Sequence, residues 1–455
     1  MTVLHTKSAL LPGGWTKDVT VQIGSDGRIM SVETSVPGAV ADQTTDILIP
    51  APGNVHSHAF QRAMAGLTER RGTKGQDSFW TWRQLMFRFL DQLTPKDIQA
   101  IAAQVQMEML ESGFAAIGEF HYLHHQPDGT PYDNPAEMCV RIAAAADQTG
   151  IGLTLLPVLY HQGGVDGRKL GPGQIRFGTA LDQFFRLLDS AQQAISALPA
   201  DTCLGVAPHS LRAVSPEALR TLADGTSGPL HMHIAEQLAE VDEISAAYGA
   251  RPVQWLLDNQ PPDSRWCLIH CTQMLQDETT ALAATGAVAG LCPITEGSLG
   301  DGIFDGPRWM GAGGAMAVGS DSNIRISLTE ELRQLEYSQR LKTHARAVLA
   351  SSGASTGRTL FDAMLAGGAQ ALGRPSGAIA PGLNADFIAL DGNAPDLIGR
   401  TGDAVLDTWI FSTGDRLVRD VWASGRHVVQ DGQHIARAAI TAEYRACLAR
   451  LSGAM

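Results

Sequence analysis

Eight short apolar runs dominate the middle of the chain, at residues 47–51, 115–120, 153–159, 203–208, 230–233, 266–270, 287–292 and 316–319. Their length and lack of polar alternation predict strands buried on both faces. The spacers between them carry helical punctuation. Thr94-Pro95, Asn134-Pro135 and Ser215-Pro216 each set a capping side chain before a proline suited to a first helical turn. Gly113, Gly150 and Gly286 fall where left-handed C-terminal caps are expected. Buried strands alternating with helices predict an α/β chain built on a parallel (β/α)8 TIM barrel, here over residues 51–375.

Both ends have a different texture. Residues 18–24 alternate and run into the turn Ser25-Asp26-Gly27, and short strands broken by Asp-Gly and Ser-Gly return at 384–392 and 420–429. These segments predict a small composite β-sandwich built from residues 1–50 and 376–435, with a C-terminal helix or tail over 436–455. The balance of 34 Lys+Arg against 47 Asp+Glu gives a net charge of −13, which argues against nucleic acid or an anionic membrane as partner. No run approaches the ~20 apolar residues of a membrane span, and the first residues lack a signal-peptide core, so a cytoplasmic location is expected. None of the six cysteines lies in a Cys-x-x-Cys pair, and Cys203, Cys267 and Cys292 read as small hydrophobes within strands.

The chemistry-bearing residues stand just after the predicted strands: His56 and His58 after the first, His209 and Arg212 after the fourth, and His233 and Glu236 after the fifth. His270 ends the sixth and Asp321 the eighth. In a (β/α)8 barrel these positions converge on the C-terminal mouth. His56 and His58 share one side of an extended segment, so both imidazoles can face one borderline cation such as zinc. A lone His-x-His is weak evidence, and two hydrogen-bonded turn histidines are the bland alternative. The arrival of His233 and Asp321 from other strands strengthens the metal reading, because three histidines and a carboxylate leave a position open for water. His231 points the same way as His233, so either could be the ligand; His233 is nearer the mouth. Glu236 could reach that water, although a glutamate at a helix start is also favoured by the helix dipole alone.

These residues resemble a known group. Val55-His56-Ser57-His58, His231-Met232-His233-Ile234-Ala235-Glu236, Leu268-Ile269-His270-Cys271 and Gly319-Ser320-Asp321-Ser322 are similar to the four metal-site motifs of amidohydrolase-superfamily deaminases. Within that superfamily, the segments 56–66, 118–125, 207–212, 292–302 and 319–327 resemble the formimidoylglutamate deiminase family. No departure stands at the metal or proton-transfer positions. The resemblance implies one Zn²⁺ per chain held by His56, His58, His233 and Asp321. A carboxylated lysine bridges two metals in binuclear members, whereas the segment 204–210 has no lysine. It further implies hydrolytic deimination of N-formimidoyl-L-glutamate, in histidine degradation, by water activated at the metal. Glu236, His270 and Asp321 would handle protons and charge. Arg83 and Arg212 would bind the two substrate carboxylates, with Gln61, Tyr122 and His209 as further contacts. A homodimer is expected on the same ground. Two alternatives stand beside this reading: a deaminase of guanine, cytosine or an adenosine derivative, and a catalytically inactive homologue serving as a binding or assembly protein.

Overall fold

The computed structural model describes residues 1–34, 41–69 and 79–452. The two ends of the chain meet in one eight-stranded mixed sheet. Its order is Gln433–His434, Arg426–Gln430, Val418–Ala423, Phe387–Leu390, Gln43–Pro50, Thr2–Leu11, Gly14–Ile23 and Ile29–Thr34. The junction lies at Gln43–Pro50, which pairs parallel with Thr2–Leu11 and antiparallel with Phe387–Leu390, setting Ile49 opposite Ile388. Leu4, Val19, Val21, Leu48, Phe387 and Trp422 share a buried core on this sheet. The Ser424-Gly425 turn has both residues at positive φ, +46° and +75°, as a tight antiparallel hairpin requires. Gly27 has φ +77°, and a Cβ there would lie 2.3 Å from the Ser424 carbonyl oxygen, so the Ser-Asp-Gly turn admits only glycine.

The run at 47–51 therefore belongs to this terminal sheet. The sequence pattern makes it the first inner strand, but that strand is Gly53–Ser57. Both segments are apolar and buried, and nothing local says which sheet either joins. Gly53–Ser57, Ala116–His121, Gly152–Leu159 and Cys203–Leu204 form one parallel set, with Ala207–Pro208 also pairing on Gly152–Leu159. Leu230–Ile234, Trp266–His270, Val288–Leu291 and Ala315–Val318 form a second. These are two separate ladders. Isolated parallel bridges, Ser57 with Asp321 and Val206 with Leu230, stand where their outer strands meet. Most of these strands are buried at every residue, which is why they read as unbroken apolar runs.

Helices follow the expected punctuation with two exceptions, Gly286 and Asn134. Gly286 is left-handed at φ +82° but lies two residues past Ala284, which caps the helix Gln276–Ala283. Thr94 and Asp97 form a reciprocal capping box, Ser215 accepts from Ala218 N, and Gly113 and Gly150 close their helices in the left-handed region. Asn134 does not cap its helix. It accepts from Ala136 N at 3.0 Å in a local turn, and the helix starts later, at Glu137. The last helix, Arg437–Ser452, packs on Pro95–Ser112, where Arg450 and Cys447 donate to Asp97; residues 453–455 of the expected tail lie outside the described residues. No helix among the described residues is long and apolar enough to cross a membrane.

Candidate active site

The ends of Gly53–Ser57 and Ala315–Val318 are pressed together. A Cβ on Gly319 would lie 2.6 Å from the backbone nitrogen of His56, so only glycine permits the approach. Asp321 N then donates to His56 O, and His58 N to Asp321 O, each at 2.9 Å. A buried chain of hydrogen bonds fixes the register. Asn54 donates to Ser320 Oγ (2.7 Å), Ser320 Oγ to Asn323 Oδ1 (2.6 Å), and Asn323 to Ser57 Oγ (3.1 Å). Asp321 and His270 sit at φ +47° and +74°, conformations that non-glycine residues adopt at a cost of ~1–3 kcal/mol each. The surrounding bonds hold that strain.

Four donors converge here. Asp321 Oδ1 lies 3.4 Å from His56 Nε2 and 3.3 Å from His58 Nε2, and His56 and His233 bring their Nε2 atoms to 3.0 Å. One donor atom from each residue lies within 4.8 Å of all the others. His58 Nδ1 faces the Phe120 carbonyl at 2.9 Å, and His233 Nδ1 faces the His209 carbonyl at 3.2 Å. A carbonyl can only accept, so each Nδ1 carries the proton and each Nε2 turns a lone pair inward. Burial holds all three imidazoles below the usual histidine range, in the neutral form a metal ligand needs. Inward lone pairs and a carboxylate aimed at one point suit a borderline cation such as zinc, with water as a fifth ligand beside the four protein donors.

Beside it stands an acid–base cluster. Glu240 accepts from Ala235 N (3.1 Å) and Glu236 N (3.0 Å), fixing the turn that presents Glu236. Glu236 Oε1 lies 3.7 Å from His270 Nε2, and its Oε2 lies 4.0 Å from Arg212 Nη2. His270 also faces Glu296 through Nδ1 (3.3 Å) and Asp321 through Nε2 (3.8 Å). Burial alone would lower its pKa, but these three carboxylates push it up to about 10. Burial raises the Glu236 carboxyl, opposed by the positive charge of His270 and Arg212.

A cavity opens over both clusters and is lined by every expected site residue except His56, which is wholly buried behind it. On its far wall Gln61 donates to Tyr122 OH (3.0 Å), and Arg83 donates to Tyr160 OH (2.9 Å). The Arg212 side chain is 11% exposed, and its Nε has no hydrogen-bond partner among the described residues. Burial, then Arg212, keeps His209 well below the usual range and thus neutral. His231 is apart from the cluster: its Nε2 donates to Ala371 O at 2.8 Å, as a core histidine does. Likewise His124 and His125 are spent on the carbonyls of Val158 and Gly178.

Sequence reasoning missed Glu296 and Tyr160. Tyr160 follows the strand Gly152–Leu159, so the strand-end rule that found the others would have found it too. Glu296 lies in the first turn of the helix Pro293–Leu299, where a dipole-favoured glutamate is commonplace. Only its contact with His270, 26 residues away, sets it apart.

Known proteins share this architecture. A family model described as the amidohydrolase family matches residues 47–428, and one described as the N-terminal domain of formimidoylglutamate deiminase HutF matches residues 1–46. The chain is 48% identical over 437 residues to a formimidoylglutamate deiminase of Pseudomonas aeruginosa, covering 95% of this chain and 96% of that one. An amidohydrolase crystal structure from Brucella melitensis superposes with a TM-score of 0.95 at 46% identity, covering 99% of this chain and 100% of that one. An adenosine deaminase from Xanthomonas campestris, solved with bound zinc, shares the fold with a TM-score of 0.81 at 20% identity, over 99% of this chain and 98% of that one. The chain thus belongs to the amidohydrolase family and, within it, to the formimidoylglutamate deiminases.

Proposed function

We propose that the protein hydrolyses N-formimidoyl-L-glutamate to N-formyl-L-glutamate and ammonia, as a step of histidine degradation. The observation that carries this reading is the convergence on one cavity of four metal-capable donors, the Glu236–His270 pair and two arginines. Its support from relatives is the 48% identity to a protein named for that activity. His56, His58, His233 and Asp321 would hold one Zn²⁺ per chain. Zinc in such a set lowers the pKa of a bound water from about 15.7 towards about 7, which supplies a nucleophile at neutral pH.

The chain's own residues do the rest. Arg212 and Arg83 bind the two carboxylates, and Gln61, Tyr122 and His209 offer further hydrogen bonds to their oxygens. That anchoring directs the formimidoyl carbon towards the donor cluster. Asp321 helps accept a proton from the attacking water. His270, held cationic by the carboxylates around it, stabilises negative charge on the attacking oxygen. Glu236 hydrogen-bonds the amidine nitrogens and carries a proton to the nitrogen that leaves as ammonia.

The two parallel ladders act in this reading as one (β/α)8 barrel over 51–375, supported by the bridges at both seams. The terminal segments 1–50 and 376–435 form a β-sandwich, supported by their shared core, with a helix and tail over 436–455. A homodimer in the cytoplasm completes the reading and rests on family resemblance. Ammonia release from formimidoylglutamate, guanine, cytosine and adenosine tests the substrate. Efficient turnover of a ring with none of formimidoylglutamate would sink the assignment in favour of a ring deaminase. No turnover of any in a metal-loaded sample would favour an inactive homologue.

A further inference from the structure

Cys292 is a buried thiol that the reaction does not use. It follows the strand Val288–Leu291 and packs among Val55, Cys267 and Ile269. Its backbone N–H donates to Glu296 Oε1 at 2.8 Å, the same oxygen that lies 3.3 Å from His270 Nδ1. One carboxylate thus fixes both the Cys292 backbone and the His270 ring. With Nδ1 committed to Glu296, His270 directs Nε2 towards Asp321 Oδ2 (3.8 Å) and Glu236 Oε1 (3.7 Å). One donor atom from each of His270, Cys292 and Asp321 lies within 4.8 Å of the other two, all three residues buried. Around a tetrahedral ion bound at ~2.0–2.3 Å, donors stand roughly 3.3–3.8 Å apart, so small side-chain rotations would close this set.

We propose that His270, Cys292 and Asp321 form a second, weaker site for a thiophilic divalent cation, Cd²⁺ or excess Zn²⁺, and that filling it switches the enzyme off. The donor set selects the metal class, because thiolate and imidazole favour soft or borderline ions and give little to Mg²⁺ or Ca²⁺. The carboxylates around His270 make this corner hospitable to positive charge, and a carboxylate behind the non-ligating nitrogen is the usual support of a metal-bound histidine. On binding, the Cys292 S–H bond breaks, a metal–sulfur bond forms, and the thiol proton passes to buffer together with any proton on His270 Nε2. No oxidant or reductant is involved. Turnover stops because His270 loses its charge-stabilising role and Asp321 is drawn towards the second ion.

The proposal rests on His56, His58, His233 and Asp321 being the first metal site, so the first equivalent is measured separately. Holoenzyme is titrated with CdCl₂ and followed by equilibrium dialysis, ultraviolet absorption and ammonia release. The expected result is one added equivalent, a cadmium–thiolate charge-transfer band growing with it, and parallel loss of turnover. In Cys292→Ser the first equivalent and turnover remain and the band vanishes. Since loss of even an outer partner weakens metal sites ~10–100-fold, half-inhibition should need at least about tenfold more Cd²⁺. Cys292→Ala, read alongside, should behave the same way. Three results would overturn the site: uptake without the band, exchange with the total held at one equivalent, or inhibition of both variants at the parent's concentration. A parent holding no first equivalent would sink the primary metal reading instead, and the Cys292-dependent band would still decide this one.

Discussion

Replacing Arg212 with Met removes one buried cation and keeps most of its volume. The Arg212 side chain is 11% exposed, and Nη2 stands 4.0 Å from Glu236 Oε2. Unit charges 4 Å apart attract by about 4 kcal/mol at an effective dielectric of about 20, and a substrate carboxylate at similar range meets the same field. After desolvation, truncating one partner of such a pair commonly costs about 2–5 kcal/mol, or roughly 30-fold to several thousand-fold in kcat/KM for formimidoylglutamate. A second effect follows from the 4.0 Å contact. Arg212 opposes the upward shift of the Glu236 carboxyl, so its loss moves that carboxyl further up. Glu236 must be ionised to take up a proton, so the acid limb of kcat/KM should move to higher pH. A small formamidine without carboxylates separates the two effects: above the acid limb it should lose little, while the limb itself still shifts. Steady-state ammonia release over a pH series, with metal content measured in each sample, reads both. An Arg212→Met enzyme that handles both compounds like the parent, with an unmoved acid limb, would refute the carboxylate clamp and the Glu236 coupling together.

Purified parent enzyme should hold about one equivalent of transition metal, as a single four-donor site implies, and His56→Ala should lose both tight retention and turnover by elemental analysis and assay. Two equivalents in a fully active sample would contradict a single catalytic site. Glu236→Gln should keep the metal and lose roughly 10²–10⁴-fold in rate, since shape survives and proton transfer does not; near-normal turnover would remove Glu236 from that role. Away from the site, Arg374 is buried between Asp201 (3.2 Å) and Asp386 (3.3 Å), joining the loop before Cys203–Leu204 to the terminal sheet. Arg374→Met strands Asp386 in the interior and should lower unfolding free energy by about 3–5 kcal/mol in urea titrations, with kcat of the folded enzyme unchanged.

What was legible in the sequence is local. Strand alternation put His56 and His58 on one side, capping chemistry placed the helix starts at Thr94 and Ser215, and Gly113 and Gly150 marked helix ends. The rule that function gathers at the ends of parallel strands then picked out His209, Arg212, His233, Glu236, His270 and Asp321, all of which line the cavity. These inferences hold because φ/ψ preference, side-chain periodicity and caps act within a few residues. Tertiary structure decided the rest. The run at 47–51 and the strand Gly53–Ser57 are both apolar and buried, and only pairing with Thr2–Leu11 and Phe387–Leu390 sends the first to the terminal sheet. Asn134 lost its expected cap to a turn of its own making. Glu296 became the partner of His270, Tyr160 the partner of Arg83, and Arg212 the neighbour of Glu236 through contacts spanning 24 to 77 residues of chain. Such contacts have no local signature, because a side chain's propensity says nothing of what the fold will bring beside it.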